Sequence, residues 1–386
     1  MRRWWIGFGL GLVLSPLSGQ SGGEKWLGLE TSVTGDFIKN LSGGLERGFA
    51  YIGMEELGLT LDLEAAGWWK GGEVFLHGLN SHGGLPSQDF IGDMQVASNI
   101  ESGDYTGFYQ YYLRQHLGRF SLLLGQHDLN SEFVGTEYGG TFINSSFGIS
   151  PSIALNVPVS IYPMAALAFI ATYEARNNTV LKLGVYDGDP GDPESNRYNL
   201  QPNIRREEGA LIIGELEHTH RVNDLPESFR IGGYYHTNRF TDYRDTLQQA
   251  PGNYGMFGVT DLVLWSGFNH PHTYLGTFVQ AGVAPASINQ VDFYLGGGFH
   301  LNGVLPERYH DALGIGFAYA HMGNPYRALF PGLTAGELVL ELTYKILVFD
   351  RYSIQPNLQY IRNPSARSDL GHALVSLIRF NVALEN

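Results

Sequence analysis

The chain is 386 residues long, has a formal net charge of −14 at pH 7 and contains no cysteine. Disulfides and thiolate metal sites are therefore excluded. With no basic stripe anywhere, nucleic acid is a poor partner, because phosphate binding rests on clustered Lys and Arg.

In chain order, Met1-Arg2-Arg3 is a short basic start, Trp4 to Leu14 an apolar run, and Ser15 to Gly22 small and turn-forming. That order reads as a secretory signal peptide, residues 1–19, cut to leave 20–386 as the mature chain. The apolar core is too short to cross a bilayer as a helix. Gln20 stands where a lipidated cysteine would be, so no lipid anchor is expected. Beyond the leader no apolar run approaches the ~20 residues a helical span needs. No linker, low-complexity tract or shift in composition divides the rest, which reads as one domain.

The remaining sequence predicts an all-β chain of sixteen amphipathic strands: 26–36, 55–65, 71–79, 105–117, 119–127, 166–174, 178–186, 209–218, 228–239, 255–265, 272–282, 291–300, 311–321, 337–347, 352–361 and 371–384. The gaps alternate: 37–54, 80–104, 128–165 and 187–208 are long, whereas 66–70, 118 and 175–177 are short. A transmembrane barrel makes one rim long and the other short, with tight periplasmic turns and longer outer loops. Within strands the side chains sort by parity. Leu338, Leu340, Leu342, Tyr344 and Ile346 oppose Val339, Glu341, Thr343 and Lys345; Leu313, Ile315, Phe317 and Tyr319 oppose Ala312, Gly314, Gly316 and Ala318. Sixteen strands enclose more space than side chains can fill, so the polar set lines water and the apolar set faces lipid. A charge on the lipid face would cost about 2–4 kcal/mol near the bilayer centre. Strands 209–218 and 255–265 are less clean, with Glu215, Glu217 and Asp261 among apolar residues, and Pro356 interrupts 352–361.

The connection 128–165 is the longest. It holds Phe133, Tyr138, Phe142, Ile143, Phe147, Ile149, Ile153 and Leu155 among Asn, Ser and Gly. Apolar loop residues need a surface to bury against, and the inner barrel wall offers one. The segment, the third outer loop, is expected to fold into the lumen, with Asp128, Asn130, Glu132, Asn144, Ser145 and Ser146 facing a passing solute; an ordered cap over the mouth is the alternative. Amides and hydroxyls that both donate and accept suit neutral polyols. Strand parity adds Arg114, Glu341, Lys345 and Gln359 as lumen residues.

Phe142-Ile143-Asn144-Ser145-Ser146-Phe147-Gly148-Ile149-Ser150-Pro151 resembles the hallmark of the carbohydrate-selective, OprB-type outer-membrane porins. Leu124 to Asn130, Tyr162 to Leu167, Val185 to Gly191, Tyr254 to Gly258 and Ile354 to Tyr360 are similar in order and spacing. The resemblance implies a sixteen-stranded barrel in a Gram-negative-type outer membrane. It would pass sugars by facilitated diffusion through a constriction of Arg, acidic and aromatic residues. It also implies contact with outer-membrane lipid and no cofactor, metal or enzymatic chemistry, while monomer and homo-oligomer both stay open. Two departures stand out: the chain ends Val382-Ala383-Leu384-Glu385-Asn386 without a terminal aromatic, and it reads as a bare barrel lacking the N-terminal segment of some relatives.

Other motifs read more plainly. His218-Thr219-His220 and His270-Pro271-His272 lack acidic or cysteine partners at ligand spacing and read as surface or interfacial histidines. Asp187 to Glu194 reads as a stiff acidic turn, with calcium the minor alternative. Gly296-Gly297-Gly298 opens no helix and is no phosphate cradle. The rivals to a sugar channel are a general or cation-preferring pore, which millimolar glucose would not block, and an outer-membrane hydrolase, for which no Gly-x-Ser-x-Gly elbow exists.

Overall fold

The computed structural model describes residues 25–193, 195–202, 204–223, 225–267, 273–349 and 351–385. The expected leader 1–19 and the His270-Pro271-His272 motif lie outside them. Among the described residues sixteen strands form one closed antiparallel barrel, each pairing with its neighbours in sequence and the first with the last. They are β1 Leu27–Gly44, β2 Gly48–Asp62, β3 Gly72–Gly83, β4 Tyr105–Leu117, β5 Phe120–His127, β6 Ala166–Glu174, β7 Thr179–Asp187 and β8 Ala210–Val222. The second half is β9 Leu225–Thr241, β10 Gln249–Ser266, β11 Tyr274–Val283, β12 Val291–Asn302, β13 Ala312–Met322, β14 Gly336–Phe349, β15 Tyr352–Arg362 and β16 Gly371–Glu385. Among the described residues no helix is long and apolar enough to cross a membrane.

Burial settles which face is which. On β14, Leu340 and Leu342 are 45% and 46% exposed, while Val339, Glu341 and Thr343 between them are buried. On β13, Ile315 and Phe317 are exposed and Ala318 and Ala320 are buried. The greasy parity lies outside and the polar parity inside, the inverse of a water-soluble core. Closure leaves no edge strand, so every backbone group in the hydrocarbon can find a partner within the sheet.

The alternation of connections holds, but not everywhere as the sequence suggests. Residues 37–54 are no loop: β1 and β2 run through them and turn at 45–47, with register continuing from Leu27↔Leu61 to Asn40↔Gly48. Phe37 and Ile38 are adjacent apolar residues, one exposed and one fully buried, which hides the alternation. Likewise β9 and β10 extend to meet at 242–248 rather than 240–254. Three long connections remain, 84–104, 128–165 and 188–209, all on the rim opposite the short turns 118–119 and 175–178. Pro356 sits where the ladder to β14 lapses between Thr343↔Asn357 and Ile346↔Ile354, with no slip in register, so its missing donor breaks nothing.

Candidate permeation site

The inner wall carries carboxylates, and several of them accept amides from the long connections. Glu341 on β14 accepts the N–H of Ile143 at 2.7 Å and of Asn144 at 3.0 Å. Asp261 on β10 accepts the hydroxyl of Thr136 at 2.5 Å and the amides of Glu137 at 2.9 Å and Tyr138 at 3.2 Å. Glu215 on β8 accepts the amide of Val134 at 2.8 Å. Glu337 on β14 does the same for 84–104, taking the amides of Met94 and Gln95, both at 3.0 Å. An amide run without secondary structure needs acceptors when buried, and a charged acceptor makes the stronger bond. The two connections also bond to each other: Ser145 donates to the Val96 carbonyl at 3.0 Å and Asn99 to that of Ile143 at 2.9 Å.

Rings complete the anchorage. Phe142 stacks between Phe147 and Phe278 of β11, with centroids 4.6 and 5.5 Å away. Its seat on β12 and β13 is made of glycines: a Cβ on Gly316 would lie 2.7 Å from the Phe142 ring, and one on Gly298 2.9 Å. Tyr138 occupies the space that a Cβ on Gly276 would fill, at 2.6 Å. Gly298 thus makes room for a ring that lies far away in the chain.

The sequence-derived residues fall into two groups. Asn144, Ser146, Asp128, Glu341 and Gln359 are buried, and protein partners occupy their polar atoms. Asn144 donates its amide to Gln359 at 3.1 Å and accepts from the backbone and hydroxyl of Ser146 at 3.1 and 2.6 Å. Gln359 donates to the Ala97 carbonyl at 2.7 Å. Asp128 caps its own turn, accepting from Asn130 at 3.1 Å and Ser131 at 2.9 Å. Asn130, Glu132, Ser145, Arg114 and Lys345 keep partial exposure. Arg114 and Glu132 meet at 2.6 Å. Lys345 makes no ion pair among the described residues and stands apart from the others.

A row of charges missed in the sequence continues from Arg114 and Glu132 around the wall. Lys182 on β7 donates to the Glu132 carbonyl at 2.7 Å and lies 3.5 Å from both Glu215 and Glu217. Arg230 on β9 reaches Glu217 at 3.2 Å, Asp261 at 3.0 Å and the Gly135 carbonyl at 2.7 Å. Across the barrel Arg379 grips Asp36 through two bonds of 2.8 and 2.7 Å and reaches Asn99 at 2.8 Å. The signal was present in the sequence as the acidic residues that spoil the parity of 209–218 and 255–265. Leu211 and Ile213 share the inner face with Glu215 and are fully buried, because Phe133, Val134 and Ile153 pack on them.

Burial perturbs the connections' own carboxyls. It pushes Asp128 up to about 6. Glu132 is partly buried, which pushes upward as well, yet Arg114 and Lys182 hold its carboxyl below the usual range. In 84–104 burial raises Asp93 to about 6, and burial with the nearby Asp93 charge raises Glu101 to about 8. A docked 84–104 segment therefore holds more protons than a released one. Its docking is most stable below about pH 4 and weakens as pH rises to about 8. Hydrogen exchange corrected for intrinsic rate should show 84–104 loosening over that interval while β14 stays protected; parallel behaviour of the two would exclude the linkage.

The model for the carbohydrate-selective porins of the OprB family matches residues 46–384. The chain belongs to that family. Porin B of Pseudomonas aeruginosa is 26% identical over 405 residues, an alignment covering 92% of this chain and 87% of that one. In architecture the porin is similar to OprB of Pseudomonas putida solved at high pH, with TM-score 0.85 at 21% identity over 92% of this chain and 94% of the other. The outer-membrane channel DcaP of Acinetobacter baumannii shares the fold at TM-score 0.56 and 9% identity, over 93% and 97% of the two chains. The protein is thus an outer-membrane porin selective for sugars and not an enzyme.

Proposed function

We propose that the porin's 128–165 segment folds inward and narrows the channel, so that sugars pass between its exposed polar edge and the charged wall. The observation that carries this is where the segment is held. It leaves β5 and returns to β6, yet its amides and rings are bound by inner-face side chains of β8, β10, β11 and β14. Strand β14 lies most of the way across a sixteen-stranded ring from β5 and β6.

On this reading the sequence-derived residues divide their labour. Asn144, Ser146, Glu341 and Gln359 hold the constriction, and Asp128 stiffens its entry. Arg114, Glu132, Asn130, Ser145 and Lys345, with Lys182 and Glu217, present donors and acceptors to the solute. A row alternating in sign offers paired hydrogen bonds to vicinal hydroxyls without a large net field, so neutral polyols gain and simple ions do not. Each contact competes with water, and conduction needs such weak, repeated sites so that the solute leaves.

In planar bilayers millimolar glucose should block ion current through the porin. Arg114→Gln with Lys182→Gln should weaken that block about tenfold, equal to about 1.4 kcal/mol, and shift ion preference toward cations. Block that survives both substitutions would place the sugar path elsewhere. Current indifferent to glucose would favour a general pore.

A further inference from the structure

We propose that the rim bearing the short turns binds anionic glycerophospholipid, with phosphates at a ring of cations and one acyl chain in a groove beneath Arg351. Short turns place this rim at the periplasmic face. Lys25 precedes β1, Lys70 lies between β2 and β3, Arg119 between β4 and β5, Arg176 between β6 and β7, and Arg351 between β14 and β15. All five are exposed, and none makes an ion pair among the described residues. The opposite rim is mixed: Arg47 and Arg206 make no ion pair among the described residues, whereas three others do. There Arg244 pairs with Asp242 at 2.8 Å, Arg367 with Asp369 at 2.5 Å and Arg205 with Glu208 at 3.1 Å.

Several acids near the ring are engaged by the protein itself. Asp62 caps the amides of Glu64 and Ala65, both at 2.9 Å, and Glu64 accepts from Gly71 at 2.9 Å. Asp311 is taken by Arg308. Asp62 and Glu174 share parity with the inner face, whereas Phe120, Tyr173 and Tyr352 share parity with the lipid face. Trp26 adjoins Lys25, and Trp68 lies 6.4 Å from it, centroid to centroid. Phe120 adjoins Arg119 and packs on Tyr173 at 4.6 Å. Phe349 and Tyr352 flank Arg351, 6.1 Å apart. Aromatics mark headgroup depth, so the cations stand where lipid phosphates lie. Under Arg351 a groove of about 430 Å³ is lined mostly by apolar side chains, among them Phe349, Tyr352, Ile354 and Phe380, together with Ser353 and Asn381. It is mainly apolar and opens beside a cation, which suits an acyl chain hanging from a phosphate.

The test titrates the purified porin with phosphatidylglycerol or phosphatidylcholine of identical chains and counts retained lipids by native mass spectrometry. The wild type should retain the anionic lipid several-fold more. Replacing all five cations by Gln should bring its retention down to that of phosphatidylcholine, and Arg351→Gln alone should remove one lipid. Arg244→Gln with Arg367→Gln on the other rim should change nothing. Ile354→Trp, which fills the groove, should also remove one lipid, and inorganic phosphate should fail to displace it. Equal retention of both lipids by the wild type, or undiminished retention by Arg351→Gln, would overturn the proposal. Displacement by inorganic phosphate would reduce the site to a bare anion contact and overturn the groove. A heat-modifiable gel shift confirms a closed barrel in every variant.

Discussion

A porin lacking residues 136–146 should conduct several-fold more current per channel than the full chain and lose its block by glucose. The deletion removes Tyr138, Phe142 and the amides that Asp261 and Glu341 hold. It spares the flanks. Arg230 still grips Gly135, and Gln280 still donates to the Phe147 carbonyl at 3.1 Å. The carboxylates left behind would face water in a widened lumen rather than protein, so they are solvated and the penalty for an unpaired buried charge does not apply. Barrel closure rests on the β1–β16 ladder, which the deletion does not touch, and the variant should assemble. Conductance equal to the wild type would mean that the segment never enters the channel and instead caps the mouth.

The barrel was legible because its two faces meet different solvents. Alternation in Leu338 to Ile346 or in Leu313 to Tyr319 is a direct record of lipid on one side and water on the other. It failed where the inner face is not wet. Ile38, Leu211, Ile213, Val339 and Ile361 point inward yet are apolar and buried, because the long connections dock there and need a greasy wall. At Phe37-Ile38 this cut the expected strand 26–36 short, and at Leu211 to Glu217 it blurred one.

The site was legible to a lesser degree and for a different reason. That 128–165 buries itself could be read from its own composition. What it buries against could not, since Ile143 and Glu341 are separated by 198 positions and nothing local links them. Arg114 was visible through strand parity and Glu132 as a polar residue of the loop, but not that the two meet. The continuation through Lys182, Glu217 and Arg230 exists only once β7, β8 and β9 stand side by side.

Replacing Glu341 should free the 140–148 segment without opening the barrel. Its carboxylate is the acceptor for two backbone amides of the hallmark segment and for the side-chain amide of Asn357. Glutamine at this position keeps one acceptor oxygen but turns an NH₂ toward a second donor. Leucine offers no acceptor. Each buried donor left unmatched costs about 1–3 kcal/mol, so with two segment amides unmatched Glu341→Leu should raise the opening constant of 140–148 by a factor on the order of thirty to ten thousand, and Glu341→Gln by less. Hydrogen exchange at Ile143 and Asn144 reads this directly, with β14 amides as the internal reference. The current through single channels should become noisier in the same order, wild type below Gln below Leu, because a released segment samples wide and narrow positions. Phe142 in its glycine seat holds the segment's centre, so release is partial and mean conductance stays below that of the 136–146 deletion. If Leu and Gln exchange at the wild-type rate, the anchor lies in the rings and not in the carboxylate.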